Sequence, residues 1–202
     1  MKIFFALSIL LIAGCRKSDD DTARRSDTTV APPVSVSPDT VPALTCGITG
    51  NPVLTDNGIG DLKEGAKVAD VRKSCEVVSD SEQQGSEGMK ERVLEVRLGG
   101  ETVQAIVNDD KIWRIQITSP RLTTSDSLGV DTPLHRIATM RGARFFPGED
   151  GVYGFVANHC AMSFRFSVPL RPPRGGDWTA ARIDSAHGDA AVDRVLITRC
   201  QH

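Results

Sequence analysis

The placement of five cysteines constrains this chain of 202 residues more than any other feature of its sequence. The first, Cys15, ends a short apolar run at the N-terminus, whereas Cys46, Cys75, Cys160 and Cys200 are spread over the rest of the chain. An odd count leaves one cysteine over when the others form disulfides. The first cysteine and the other four therefore need separate explanations.

The N-terminus has the order of features of an export signal. Met1-Lys2 gives a positive start, and Ile3 to Ala13 is an apolar run of 11 residues. As a helix this run would extend over roughly 16 Å, too short for a hydrocarbon core of about 30 Å. The run ends in Leu11-Ile12-Ala13-Gly14-Cys15, which resembles the lipobox of bacterial lipoproteins. The alternative is a plain secretory signal with an accidental cysteine.

The lipobox resemblance implies where the protein is located. It implies a signal peptide at 1–14, a lipidated Cys15 and attachment to a membrane through several acyl chains, which anchor stably where one chain does not. Arg16 follows the cysteine where an Asp could stand, and this resembles sorting to the outer membrane. We therefore expect the protein in the bacterial cell envelope, lipid-anchored in the outer membrane and facing the periplasm.

The other four cysteines are expected to form two disulfides, because an exported protein meets an oxidising compartment. Three connectivities are possible, and we hypothesise the pairs Cys46–Cys75 and Cys160–Cys200. As a nucleophile, Cys160 would need a nearby base, but the adjacent His159 would point to the opposite face of a strand. A zinc site built from these cysteines lacks closely spaced pairs. The sequence thus assigns no catalytic residue, no metal ligand and no cofactor.

Charge and hydropathy exclude two further classes of protein. The 24 Lys+Arg and 26 Asp+Glu residues give a net charge of -2, which is not the dense basic footprint of a nucleic-acid-binding protein. No run of about 18 apolar residues follows the N-terminus, so a helical membrane domain is not expected. With 40% hydrophobic residues, the chain can bury a globular core.

The composition divides the chain into three parts. After the signal peptide, residues 15–44 are rich in Ser, Thr, Asp and Pro with few large apolar side chains, a composition that predicts a lipidated, disordered tether. A globular domain is expected over 45–202. A weak internal duplication divides that domain into repeat one, about 55–119, and repeat two, about 120–202.

The duplication depends on a constant offset of 66 residues. At this offset Leu62, Val68 and Val71 align with Leu128, Leu134 and Ile137. The spacing of three between the last two members predicts a short helix in each repeat. The alternative is a chance alignment of two stretches that both contain helices and strands.

Three alternating segments follow each predicted helix and predict strands. They lie at 92–98, 101–107 and 111–118 in repeat one and at 151–157, 161–168 and 192–198 in repeat two. The sequence therefore predicts an α+β fold of two helix-plus-three-antiparallel-strand repeats, which can join into one sheet with helices on one face.

Alternation within these strands assigns side chains to faces. Trp113, Ile115 and Ile117 are expected to face the core. The open face would carry Arg97, Arg114, Gln116, Arg165 and Arg194. Arginine is enriched at interfaces because its planar guanidinium makes bidentate contacts, so these five are candidate partner-binding residues. The alternative is a solvated face of mixed charge.

At this point the pattern resembles a known class. An exported chain with two such units and one disulfide per unit is similar to the tandem-repeat β-lactamase-inhibitor proteins, and each unit is similar to the small lipoprotein of the outer-membrane assembly machine. The segments 62–75 and 111–134 also resemble bacterial lipoproteins that have no assigned activity. In the inhibitor class the open sheet face holds the partner, which implies by analogy a role for Arg97, Arg114 and Arg165.

These observations together predict a non-catalytic envelope lipoprotein. We expect a module that binds a protein or another envelope component through its open sheet face, in addition to the membrane at its lipid anchor, with no role for nucleic acid. The alternative is an envelope hydrolase or a small-ligand binder whose site has no recognisable motif.

Overall fold

The computed structural model describes residues 44–85, 88–169, 171 and 178–200. The predicted signal peptide, Cys15 and the predicted tether up to residue 43 lie outside the described residues. Within the described residues, no helix is long and apolar enough to cross a bilayer.

The described residues contain twelve strands and three helices. The strands are β1 (Val53–Leu54), β2 (Gly58–Ile59), β3 (Leu62–Lys63), β4 (Glu76–Gln84), β5 (Lys90–Leu98), β6 (Glu101–Asn108), β7 (Lys111–Ile117), β8 (Thr123–Thr124), β9 (Arg144–Pro147), β10 (Val152–Phe155), β11 (Met162–Phe166) and β12 (Val192–Ile197). The helices are α1 (Val68–Ser74), α2 (Leu134–Ala138) and α3 (Ala180–His187).

Eight of the strands form one antiparallel sheet. Their order is β4-β5-β6-β7-β12-β11-β10-β9, so each half of the sheet is a group of four strands that begins at an outer edge. The two halves meet where β7 and β12 pair, with Val195 opposite Ile117 and Ile197 opposite Ile115. Strands from both predicted repeats therefore share a single sheet.

The predicted α+β class is wrong. The described residues are 45% strand and 14% helix, so the fold is mostly β. Each half of the sheet has four strands instead of the predicted three. The additional strands are β4 and β9, which lie at the two edges of the sheet. The helices that precede them are short: α1 has 7 residues and α2 has 5. These helices contribute too little secondary structure to make a mixed class.

The core lies on one face of the sheet, under the helices. Val71 of α1, Ile137 of α2 and Ile183 of α3 are all buried in one apolar cluster with the core-facing side chains of the strands. Gly154 of β10 makes room for α2, because a Cβ atom there would lie 3.1 Å from Ile137 Cγ2. The side chains on the other face of the sheet are free to form a site.

Two disulfides join the ends of strands to neighbouring segments. Cys46 pairs with Cys75, and Cys160 pairs with Cys200, which is the pairing expected from the sequence. Cys75 follows α1 directly, whereas Cys160 and Cys200 lie just before β11 and just after β12.

One residue that was expected in the core faces solvent. The pairing of β6 with β7 shifts register between Ile106 and Val107, so that Ile106 lies opposite Arg114 and Val107 opposite Ile112. Trp113 is the extra residue of this bulge. It is 42% exposed, while Ile112 is fully buried. Ile112 therefore takes the core position that simple alternation assigned to Trp113.

Candidate functional site

The open face of the sheet contains a concave site near its middle. Its volume is about 440 Å³, within the range of roughly 300–1,000 Å³ that is usual for ligand pockets. The lining side chains come from strands β4, β5, β6, β7, β10 and β12 and from the turn between β9 and β10. Both halves of the sheet thus contribute to one depression, which we call the concave site.

The floor of the concave site is apolar. Val93, Ile106 and Leu196 line it. Val93 and Ile106 are only 3% and 1% exposed, yet neither belongs to the main core cluster. They lie directly opposite each other on β5 and β6 and form a small apolar patch on the open face.

Four glutamines line the concave site: Gln83, Gln84, Gln104 and Gln116. Gln104 and Gln116 are direct cross-strand neighbours on β6 and β7, and Gln116 in turn lies opposite Leu196 on β12. Each amide offers two donors and a carbonyl acceptor. The hydrogen bonds within the described part of the chain satisfy none of these four side-chain amides.

Arg114, the first arginine of the site, forms an ion pair with Glu91. Arg114 Nη2 donates to both carboxylate oxygens of Glu91, each at 3.2 Å, and its guanidinium carbon lies 4.9 Å from the centre of the Trp113 ring. The two charged side chains are only 19% and 27% exposed. Separating such a partly buried pair would leave two poorly solvated charges, so Arg114 is not available as a free cation.

The other charged group of the site centres on Asp150, in the turn before β10. Tyr153 Oη donates to Asp150 Oδ1 at 2.6 Å, and Arg194 Nη1 lies 3.4 Å from Asp150 Oδ2. Arg165 Nε lies 3.0 Å from the same oxygen. Arg165 also donates to Asp193 at 2.7 Å. This group of residues joins β10, β11 and β12 across the open face.

The titration of these residues follows from their contacts. Partial burial raises the pKa of Asp150, but the hydrogen bond from Tyr153 and the charges of Arg165 and Arg194 outweigh it, so the net pKa is lowered. Burial and the hydrogen bond to Asp150 raise the pKa of Tyr153 to about 12. Asp150 is therefore ionised and Tyr153 protonated at neutral pH, and the pair holds a fixed donor–acceptor direction.

The structure brings together three of the five residues that alternation assigned to partner binding. Arg114, Gln116 and Arg194 line the concave site. Arg165 lies beside it, held by Asp150 and Asp193. Arg97 is separate: it pairs with Glu76 at 3.0 Å near the far end of β5. The four arginines of this set each lie against a carboxylate within the described residues.

Sequence reasoning missed other lining residues. Gln83 and Gln84 lie on β4, a strand that was not predicted, and Glu149 and Asp150 lie in a turn distant in sequence from their neighbours. Glu91 and Tyr153 could have been found, because they continue the alternation of β5 and β10 on the open face. The carboxylates were missed because nothing local in the sequence links them to arginines many residues away.

Two histidines outside the site also have carboxylate partners. His159 Nε2 lies 3.1 Å from Asp126, whose carboxylate accepts a hydrogen bond from Thr124. Burial raises the pKa of Asp126, but the hydrogen bonds from Thr124 and His159 outweigh it and the net pKa is lowered. His135 lies 3.0 Å from Asp184. Within the described part of the chain, no hydroxyl or thiol hydrogen-bonds to either ring, and no group of acidic, His and Cys residues could hold a metal ion.

Comparison with known proteins gives a likeness of fold. No protein-family model matches the chain, and no curated protein matches it either. Among solved structures, the fold is similar to that of the uncharacterized protein yfeY from Escherichia coli, with a TM-score of 0.52 and 15% sequence identity. The match covers 72% of this chain and 99% of that one. At this identity the likeness concerns the fold alone.

Proposed function

We propose that this chain is a lipid-anchored binding module of the bacterial cell envelope, and that its concave site holds an envelope component. The observation that carries the proposal is the concave site itself, a depression with an apolar floor and the amides of Gln104 and Gln116, which have no partner within the described residues. Pockets that combine an apolar lining with a few convergent polar groups are typical ligand sites.

The location of the protein is proposed from the sequence. The apolar run that ends in Cys15 supports export and lipidation, and anchorage in the outer membrane facing the periplasm is the proposed outcome. The two disulfides are compatible with this location, because such bonds persist in oxidising compartments such as the periplasm. A lipidated Cys15 would keep the concave site close to envelope components.

Site-specific photocrosslinking of the full chain in living cells tests the proposal. A diazirine residue at position 196 places the reactive group on the floor of the concave site. The matched control is a diazirine at Lys73, which is exposed on α1, a helix that packs on the other face of the sheet. We expect one envelope component to be captured from position 196 and not from position 73. Equal capture from both positions, or no capture from either, would contradict the proposal.

Membrane fractionation of a Cys15→Ser variant tests the anchor separately. The account predicts that the protein moves from the membrane fraction to the soluble fraction, because the residue that would be lipidated is gone. Retention of the variant in the membrane fraction would show that Cys15 is not the anchor.

The cavity volume also favours one alternative, a small soluble ligand. The mass of the captured species in the crosslinking experiment separates this alternative from binding to a polymer of the envelope. For a hydrolase, by contrast, the described residues provide no comparable observation.

A further inference from the structure

We propose that the ligand of the concave site is an uncharged stretch of envelope oligosaccharide, an inference that rests on the proposed binding function. It assigns the amides of Gln104 and Gln116 as the groups that bind the sugar hydroxyls, and the partly exposed side chain of Leu196 as the apolar surface for the C–H face of a sugar ring.

The charges of the site argue against an anionic ligand. Two arginines and three carboxylates line it, namely Arg114, Arg194, Glu91, Glu149 and Asp150, for a net charge of -1. Arg114 is paired with Glu91, and Arg194 lies against Asp150. An anionic ligand would meet the carboxylates that already lie against both arginines, in a site of net negative charge. A neutral ligand meets no such repulsion.

The free groups of the site suit hydroxyls. A sugar hydroxyl both donates and accepts hydrogen bonds, and so does a glutamine amide. The amides of Gln104 and Gln116 provide four N–H donors and two carbonyl acceptors. Because they have no partner within the described part of the chain, a ligand that binds them displaces only water.

The backbone of the sheet argues against an extended peptide. Peptides commonly bind a sheet by adding a strand to a free edge, where main-chain groups are unpaired. The middle of the concave site lies over β5, β6, β7 and β12, which are each paired on both sides, whereas β4 has a free edge at one end of the site. In the middle of the site only side chains can bind a ligand, which favours a molecule recognised by amides and an apolar surface.

The apolar floor of the concave site suits the C–H face of a sugar ring. A pyranose ring has a hydroxyl-bearing edge and an apolar C–H face, so it needs a polar rim around an apolar base. Tyr153 adds an aromatic ring at the rim, and the ring lies against Gly148, where a Cβ atom would clash with it. The hydrogen bond from Tyr153 to Asp150 fixes its hydroxyl end.

Sedimentation and vesicle binding test the inference with the full chain purified in detergent. One arm uses insoluble peptidoglycan sacculi, and the other compares vesicles with and without lipopolysaccharide, so that binding through the lipid anchor is subtracted and the arms distinguish the two sources of envelope sugar. The test variant is Gln104→Met with Gln116→Met, which keeps side-chain size and removes both amides. The matched control is Asn108→Leu, which removes an amide from β6 outside the concave site.

We expect the wild-type chain to bind in one arm, the double variant to bind at least tenfold more weakly, and the control to stay within twofold of wild type. Binding that is unchanged in the double variant would overturn the inference. Binding in neither arm, together with capture of a polypeptide from position 196, would also overturn it but would leave the proposed binding function standing. If position 196 captures nothing as well, both proposals fail.

Discussion

Gln104 and Gln116 lie directly opposite each other on β6 and β7, in the middle of the open face of the eight-stranded sheet. Cross-strand side chains in such positions are about 5 Å apart at their Cβ atoms and interact with the same neighbours. Here the row continues to Glu95 on one side and to Leu196 on the other. Two unpaired amides therefore lie side by side over an apolar floor, and this arrangement is the basis of the binding account.

Replacing both glutamines with methionine should leave the stability of the fold nearly unchanged. Neither amide has a hydrogen-bond partner within the described residues, so no bond is lost, and the change in the free energy of unfolding should be within about 0.5 kcal/mol. Urea denaturation of wild type and the double variant measures it. A decrease in the free energy of unfolding above about 2 kcal/mol would mean that the two amides stabilise the sheet and are not free to bind a ligand.

Asp80→Asn should destabilise the protein at neutral pH and not at strongly acid pH. Asp80 accepts hydrogen bonds from Arg92 and from Arg72 of α1, and these contacts lower its pKa from 3.8 to about 2 against the opposing effect of burial. Because the folded pKa is depressed, the stabilisation is complete above about pH 4 and is lost as the pH falls through 2. Its size should be about 1–2 kcal/mol after allowance for solvent screening.

Denaturation of wild type and Asp80→Asn at pH 6 and at pH 2 checks this expectation. The difference in the free energy of unfolding should be present at pH 6 and should have largely disappeared at pH 2. A difference of equal size at both values would show that the contribution of Asp80 does not depend on its charge. Lys73→Ala is the control variant. Because the Lys73–Asp70 pair is largely exposed, its loss should change the free energy of unfolding little at either pH.

The bulge in β7 predicts opposite outcomes for two adjacent residues. Ile112→Ala should cost about 2–5 kcal/mol, because Ile112 is fully buried and its removal leaves a cavity. Trp113→Ala should cost about 1 kcal/mol or less, because Trp113 is exposed and loses mainly its contact with Arg114. Thermal or urea denaturation ranks the two variants, and the reverse order would contradict the register of β6 and β7.

Loss of either disulfide should destabilise the fold by about 3–4 kcal/mol. The cysteines of the two pairs are separated by 29 and 40 residues. The entropy of closing loops of these lengths predicts a similar stabilisation by both disulfides, slightly larger for the longer loop. The double variants are Cys46→Ser with Cys75→Ser, and Cys160→Ser with Cys200→Ser. Losses below about 1 kcal/mol for both would contradict this contribution.

Strand positions were predictable where one face is buried. In β5, Leu94, Val96 and Leu98 alternate with polar residues, and this period of two places the strand. In β4 no side chain is fully buried, because the strand lies at the edge of the sheet, and it is polar on both faces after Val78. Alternation cannot detect such a strand, and for this reason the predicted class had too few strands.

Local irregularities and long-range contacts set the other limits. A one-residue bulge moved Trp113 away from the core, and no signal in the sequence marks it. Helix α3 lies within residues 169–191, a polar stretch rich in Pro and Gly that predicts an insertion between strands. The structure nevertheless buries Ile183 of this helix. In the candidate site, alternation found Arg114 and Arg194, but their pairing with Glu91 and Asp150 joins strands that are not neighbours in the sheet, and the spacing of residues along the chain does not show it.

An NMR titration tests the central claim most directly, namely that the concave site binds its ligand through free amides. Side-chain NH₂ signals of the full chain in detergent would be followed while soluble fragments of peptidoglycan or lipopolysaccharide sugars are added. The account predicts saturable shifts for Gln104 and Gln116 and little change for Asn51, Asn57 and Asn108, which lie outside the site. Shifts confined to the asparagines, or none at the two glutamines up to saturating sugar, would contradict it.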